Sequence, residues 1–502
     1  MRKKYSGDDT GLGGRPPSRP ARPPRWSQWP ARLRPGRLLS TSIFMNLFLS
    51  VLNLVLGKGL RLVAITLAVR QMGPESWGQA TATFAFLTLI GLVVSQGLGG
   101  LPQIYRVNER ALDRPLLFNI TAYRLLMAAL VIAALHLLAP HVPAIGPHVL
   151  LYAFVLIPRA LSLDWLFHRR ERYHLTLGIA ALRAVIFFGL IAGLVGPESS
   201  ARTVILADLV SEVVGTLAGY LLLPRAGLAG SPRGGSLRLG VMLLAALPLW
   251  LTEALHTLTL TTDILILRFV HGYQAVAEYD IGAKIGMAYF FVGAALVQIV
   301  LPKLGKFHAT GDYASLSRVL SVSSALLLVL GALLLLPSFY FADEVVRLLF
   351  DKDYADTVLV FQWVPVWVYA SFMTMLNVTV LLAVGKRKLY FYGALIGTAV
   401  NVTGYWFLIR EFAGPGAVAA RLLGELVLFA YAFFVLPAAV KAAYRREVVL
   451  QFGLLAALVG IHLTVGGVSR PVGLGLSLLV CGAVFWRRRV FSRATLQTLR
   501  SH

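Results

Sequence analysis

Fourteen apolar stretches, most of them near the 20 residues a helix needs to cross a roughly 30 Å hydrocarbon core, follow one another along the chain, separated by turn and charge signals. The pattern predicts an all-α polytopic membrane protein, because in lipid each segment must satisfy its own backbone hydrogen bonds. The spans are read at 43–69, 78–101, 116–138, 147–166, 175–195, 203–223, 240–267, 276–301, 319–341, 357–384, 389–409, 416–437, 448–467 and 471–486. The last is the shortest, so twelve or thirteen spans are the alternative counts. A composition of 57% hydrophobic and 14% charged residues, with a mean hydropathy of +0.72, excludes an ordinary soluble domain.

Lysine and arginine test that topology independently, since short loops on the cytoplasmic side collect them. With the amino terminus inside, each of the six internal loops holds three, for example Arg169, Arg170 and Arg172, or Lys386, Arg387 and Lys388. The external loops hold two, one or none. Both termini are then expected in the cytoplasm, in a bacterial inner membrane. Residues 1–39, rich in proline, glycine and arginine, read as a disordered basic tail. Such a tail suits anionic lipid headgroups, at about 1 kcal/mol per basic residue, and no nucleic-acid partner is expected.

Seven of the 47 basic residues remain inside spans: Lys58, Arg61, Arg124, Arg159, Arg183, Lys284 and Arg421. Each costs roughly 2.5–3.5 kcal/mol at a helix centre on the insertion scale, so they are expected to face a hydrated cavity rather than lipid. Lys58 and Arg61 share one face of span one and have no acid within one turn. Lys284 can reach Asp280, and Arg421 can reach Glu425, at i,i+4 spacing; Arg159 lies about two turns from its cytoplasmic end. Five acids lie at depth, namely Asp208, Glu212, Glu253, Asp263 and Glu425. Asp208 and Glu212, one turn apart, would repel if both were ionised, which makes them the candidates for ion coupling. Mutual neutralisation with Arg183 or Arg124 is the structural alternative.

Catalytic chemistry finds little support. One cysteine, Cys481, excludes an internal disulfide or a thiolate metal site. No Walker loop or HExxH motif occurs, so no cofactor and no metal are expected. The acids of 342-ADEVVRLLFDKDYADT-357 read as a solvated amphipathic turn, with a metal site as the alternative.

The chain also repeats itself. The segment 67-LAVRQMGPESWGQATATF-84 after span one parallels 265-LILRFVHGYQAVAEYDIG-282 after span seven, with Arg70 matching Arg268 and Gly73 matching Gly272. A second pair, 169–209 and 387–426, shares a basic loop, an apolar span, a Gly-Pro and a following span that bears an acid. Spans one to six therefore parallel spans seven to twelve, in the same sense across the membrane, as parallel pseudo-repeats about the membrane normal. The expected divisions are a lobe at 40–223, a linker at 224–239, a second six-helix lobe at 240–437, two extra helices within 438–486 and a basic tail at 487–502.

Several of these stretches carry a family resemblance. The Arg-x-x-Gly-Pro-Glu-x-x-Gly turn from Arg70 to Gly78, Pro248 with Asp263, Ala277-Glu278-Tyr279, QIVLPKLGKFHATGDYASL, VVRLLFDKDYADT, Gly385-Lys386, and Asn401 followed by GPGAVAA resemble, in order and spacing, the polysaccharide transporters of the multidrug, oligosaccharidyl-lipid and polysaccharide exporter superfamily. That resemblance covers residues 40–437. It implies two six-helix lobes in a V and translocation of a polyprenyl-pyrophosphate-linked oligosaccharide to the periplasmic leaflet for exopolysaccharide, capsule or O-antigen synthesis. It also implies cationic substrate residues in spans one and eight, here Lys58, Arg61 and Lys284. Arg124, Arg159, Arg183 and Arg421 complete the expected substrate set. Membrane lipids are expected partners, with a polysaccharide polymerase and glycosyltransferases as candidates. A peptidoglycan-precursor flippase and a multidrug exporter are alternatives within the fold. A membrane glycosyltransferase or polymerase is the alternative of another class.

Overall fold

The computed structural model describes residues 59–99, 113–170, 172–223, 239–287, 290–350 and 355–488. Among them every regular element is helical. Lys58, the tail 1–39, the linker 224–238 and residues beyond 488 lie outside the described residues.

Among the described residues a helix, whole or in part, stands at each of the fourteen expected spans. The described part of span one is helical over 59–72. Spans two and three are Pro74–Ser95 and Asp113–Leu138; span four, Pro147–Arg169, is built of three short helices; spans five and six are Tyr173–Leu194 and Ala201–Leu221. Leu239–Met287 holds span seven and the start of span eight, which continues as Phe290–Ala309. Span nine is Tyr313–Tyr340, span ten Ala355–Ala383, and Arg387–Phe434 holds spans eleven and twelve. Span thirteen, Ala438–Ile461, ends in a wider π-helical turn at His462–Gly466, and span fourteen is Arg470–Arg488. Ten described helices are long and apolar enough to cross a membrane, and with two of them folded at a kink they carry spans two to seven, the start of span eight and spans nine to thirteen.

Those kinks explain the repeat. Gly73 (φ 83°, ψ 168°) turns span one into span two, and Gly272 (φ 85°, ψ −172°) turns span seven into span eight. Only glycine takes this backbone region without strain. Span eleven turns into span twelve at Ala413, with φ 46° and ψ −124°. The face bearing these turns is called the far face below, and the opposite one, which carries the arginine-rich loops, the basic face.

Core packing separates the lobes except along one seam. Spans seven to fourteen share one buried cluster. The first lobe has its own, and it draws in Ala277, Ile281 and Ile285 from span eight. It also takes Ala342, Val346 and Phe350 from Ala342–Phe350. The expected solvated turn at 342–357 is thus a short amphipathic helix lying on the other lobe, because its apolar residues recur every four positions. The matched arginines clamp the same face reciprocally. Arg70 donates to the Leu348 carbonyl of that helix, and Arg268 donates to the Ala144 carbonyl between spans three and four at 3.3 Å.

Spans thirteen and fourteen pack on span nine. Gln451 Nε2 donates to the Ser324 carbonyl at 3.3 Å, Glu447 pairs with Arg488, and Tyr340 and Ser477 share a 2.9 Å hydroxyl bond. On the far face, Arg470 pairs with Asp343 and Glu344. Among the described residues no group of acids, histidines and cysteines forms a metal site. Asp312 caps span nine by accepting from the Ser315 hydroxyl and from the Ser315 N–H at 3.0 Å, bonds that hold its carboxyl below the usual range.

Candidate functional site

Each lobe ties its first helix to its last with an ion pair, and the charges are interchanged between lobes. In the first lobe Arg61 of span one pairs with Asp208 of span six. Asp208 is fully buried and also accepts the Tyr152 hydroxyl, which in turn accepts Arg159 Nη2 at 3.0 Å. The Arg61 guanidinium lies 4.8 Å from the Phe187 ring centre, a cation–π distance. Its side chain keeps 41% exposure.

In the second lobe Asp263 of span seven pairs with Arg421 of span twelve at 2.7 Å. Arg421 also donates to the Leu260 carbonyl at 3.2 Å, and the Tyr279 hydroxyl donates to Asp263. With side-chain exposures of 4% and 0%, this pair is sealed. The i,i+4 pairing of Arg421 with Glu425 does not form among the described contacts. Asp263, already hydrogen-bonded by Tyr279 and the Ile264 N–H, offers the guanidinium a fixed and buried partner instead.

Arg183 of span five reaches Glu212 at 3.3 Å and Asp164 at 3.7 Å. Its stem crosses Gly215, where a Cβ would stand 2.3 Å from Nε. Asp208 and Glu212 therefore face different arginines rather than each other. Arg124 is only 8% exposed, and its Nε finds no hydrogen-bond partner among the described residues. Together with Arg159, Glu253, Ser95, Thr88 and Thr257 it lines a cavity of about 220 Å³ between spans two, three, four and seven. Ser95 Oγ donates to Glu253 at 3.3 Å.

Span two forms the seam beside this cavity. Toward the basic face Trp250 Nε1 donates to the Leu92 carbonyl at 2.9 Å, and a Cβ on Gly97 would meet the Trp250 nitrogen at 2.6 Å. Toward the far face Asp280 of span eight accepts Trp77 Nε1 at 2.9 Å, Thr81 Oγ1 at 3.3 Å and Lys284 Nζ at 2.6 Å. The Lys284 ammonium also sits 4.8 Å from the Trp77 ring centre. The structure thus joins Arg61 with Arg159 through Tyr152 and Asp208, joins Arg159 with Arg124 across the cavity, places Lys284 on the seam and encloses Arg421. Trp77 and Tyr152 were not foreseen. Tyr152 has no sequence signal, whereas Trp77 stands beside the glycine of the repeated turn.

Two helical lobes packed along a seam, each with a buried ion pair, define a polytopic membrane protein. The family described as polysaccharide biosynthesis protein matches residues 43–308, and this chain belongs to it. No curated protein matches the chain. Among solved structures, the lipid II flippase MurJ in an inward closed conformation has a TM-score of 0.60 at 11% identity, covering 88% of this chain and 99% of that one. An inward-facing multidrug resistance MATE family transporter of the MOP superfamily has a TM-score of 0.59 at 14% identity, covering 79% and 99%. The Vibrio cholerae MATE transporter VcmN has a TM-score of 0.53 at 16% identity, covering 81% and 98%. At these identities the likeness concerns the fold.

Proposed function

We propose that the protein flips a polyprenyl-pyrophosphate-linked oligosaccharide from the cytoplasmic leaflet, on its basic face, to the periplasmic leaflet on its far face, for synthesis of an exported polysaccharide. Membership of the polysaccharide biosynthesis family, and a fold shared with the lipid II flippase MurJ, support the substrate class. The observation that carries the reading is Arg124, a buried guanidinium whose Nε has no hydrogen-bond partner among the described residues, in a cavity it shares with Arg159. Guanidinium groups in a low-dielectric cleft bind phosphate oxygens through charge-assisted, often bidentate hydrogen bonds. At about 220 Å³ the cavity falls below the roughly 300–1,000 Å³ of drug-sized sites, so it seats the diphosphate and not the glycan. The glycan requires the lobes to part.

In this reading Arg124 and Arg159 receive the diphosphate, Arg61 and Lys58 hold it at mid-depth, and Lys284 passes it toward the far face. Arg183 and Arg421 set the field of each lobe. Asp208 and Glu212 are the groups through which an ion would couple, since drawing Arg61 onto the substrate leaves Asp208 without its cation; transport that survives collapse of the proton gradient argues against this part. Glu253 in the cavity wall favours a second reading, export of an organic cation.

The test is deletion of the gene in its native bacterium, followed by leaflet-resolved labelling of the lipid-linked repeat unit with an impermeant reagent. Complete units are expected on the cytoplasmic face, with wild type restoring transport and an Arg124→Gln/Arg159→Gln variant that reaches the membrane failing to do so. Accumulation on the outer face would indicate a polymerase. Altered drug sensitivity without accumulation would indicate the exporter.

A further inference from the structure

We infer that Asp280 latches the far-face seal between the lobes and that a diphosphate arriving at Lys284 releases it; the inference rests on the reading of Lys284 as a phosphate-binding cation. One carboxylate oxygen, Asp280 Oδ2, is where the lobes are joined at this level. It accepts Trp77 Nε1 and Thr81 Oγ1 from span two and the Lys284 ammonium from its own helix. Trp77 is 1% exposed and Asp280 5%, so the carboxylate sits away from water. A charge in that setting is tolerated when a counter-ion and hydrogen bonds compensate it, and becomes costly when the counter-ion leaves.

Lys284 is the compensating ion, and it is reachable. Its side chain keeps 33% exposure while Asp280 keeps 7%. A diphosphate carries more charge than one carboxylate and presents several oxygens, so it competes for the ammonium through stronger charge-assisted bonds. Once Lys284 turns to the ligand, Asp280 retains only the neutral indole N–H and hydroxyl as donors, and water becomes its best replacement. Water can enter only if spans two and eight part. No interlocking side chain opposes that motion at Gly78, which lies against the Tyr273 backbone so closely that a Cβ would stand 1.8 Å from its carbonyl oxygen. The remaining far-face clamps, Arg70 to Leu348 and Arg268 to Ala144, are arginine-to-carbonyl bonds at the rim that exchange for water at small net cost. The ligand's own charge thereby opens the exit, and an empty carrier stays closed.

The test uses full-length protein in lipid nanodiscs, with Cys481→Ser as the background and Ile281→Cys as a reporter buried at the seam. Ala277→Cys serves as a second reporter, and Ala246→Cys reports on the opposite end of the seam. Farnesyl diphosphate is the probe, its binding is measured by saturation with radiolabelled compound, and opening is read as the rate of reaction with a hydrophilic maleimide. The probe is expected to raise labelling of the Ile281→Cys and Ala277→Cys reporters at least about fivefold, the low end of coupling between two sites, and to leave Ala246→Cys unchanged. Lys284→Met is expected to label rapidly without probe and to gain nothing from it, while Lys284→Arg restores a closed, probe-responsive seam. Saturable binding with both reporters still protected overturns the latch alone. Absence of binding overturns the cationic site itself, and the latch with it.

Discussion

Replacing Asp263 with asparagine, and separately Asp208 with asparagine, removes the acid from each lobe's ion pair while keeping the side chain's shape and its acceptor for a tyrosine hydroxyl. The costs should differ because the arginines left behind differ in access to water. Arg421, with 4% side-chain exposure, faces a neutral amide with no route to solvent. Removing one partner of such a buried pair costs about 3–5 kcal/mol. Arg61, at 41% exposure, can turn its guanidinium outward; its loss is held near that of a half-solvated pair, about 1 kcal/mol. The assay is unfolding of purified protein in mild detergent titrated with dodecyl sulfate, followed by tryptophan fluorescence. Asp263→Asn should lose about 2–4 kcal/mol more than Asp208→Asn, the difference of those ranges. An Asp263→Leu/Arg421→Met double variant should recover most of the loss, since apolar residues of similar volume replace buried ion pairs at little cost. Equal losses, or a larger loss for Asp208→Asn, would refute the argument from burial.

Two further outcomes follow from backbone geometry. Gly78→Ala places a methyl 1.8 Å from the Tyr273 carbonyl; it should abolish transport and expose the seam reporters without ligand, whereas Gly453→Ala, with open space around it, should do neither. Ala413→Gly should stabilise the fold by about 1 kcal/mol in the same unfolding assay, because φ 46° with ψ −124° strains any residue with a Cβ; a loss of stability would show that the turn is not strained.

The spans were legible because membrane thickness sets a length that apolar runs must meet, and because loop arginines repeat the topology in a second alphabet. Local pairs were legible too, as with Lys284 and Asp280 one turn apart on a single helix. Partners on different helices were not. Glu425 lies one turn from Arg421, yet the guanidinium reaches across the lobe to Asp263, and only packing decides between them. The helix Ala342–Phe350 carried its apolar periodicity openly, but the acids around it read as solvent exposure, and the lobe it covers could not be known. The joining of Arg61 and Arg159 through Tyr152 and Asp208 depends on distances between four helices, which no spacing in the chain encodes.

The interchanged ion pairs bear on the electric field inside the protein. Two identical lobes related by rotation about the membrane normal would carry opposed in-plane dipoles that cancel where they meet. Exchanging the signs in one lobe, with Arg61 facing Asp208 but Asp263 facing Arg421, reverses one of them. The two dipoles then add, and an anion held between the lobes is drawn sideways instead of being centred. A chain made by duplicating either lobe unchanged would lose that lateral bias while keeping every helix.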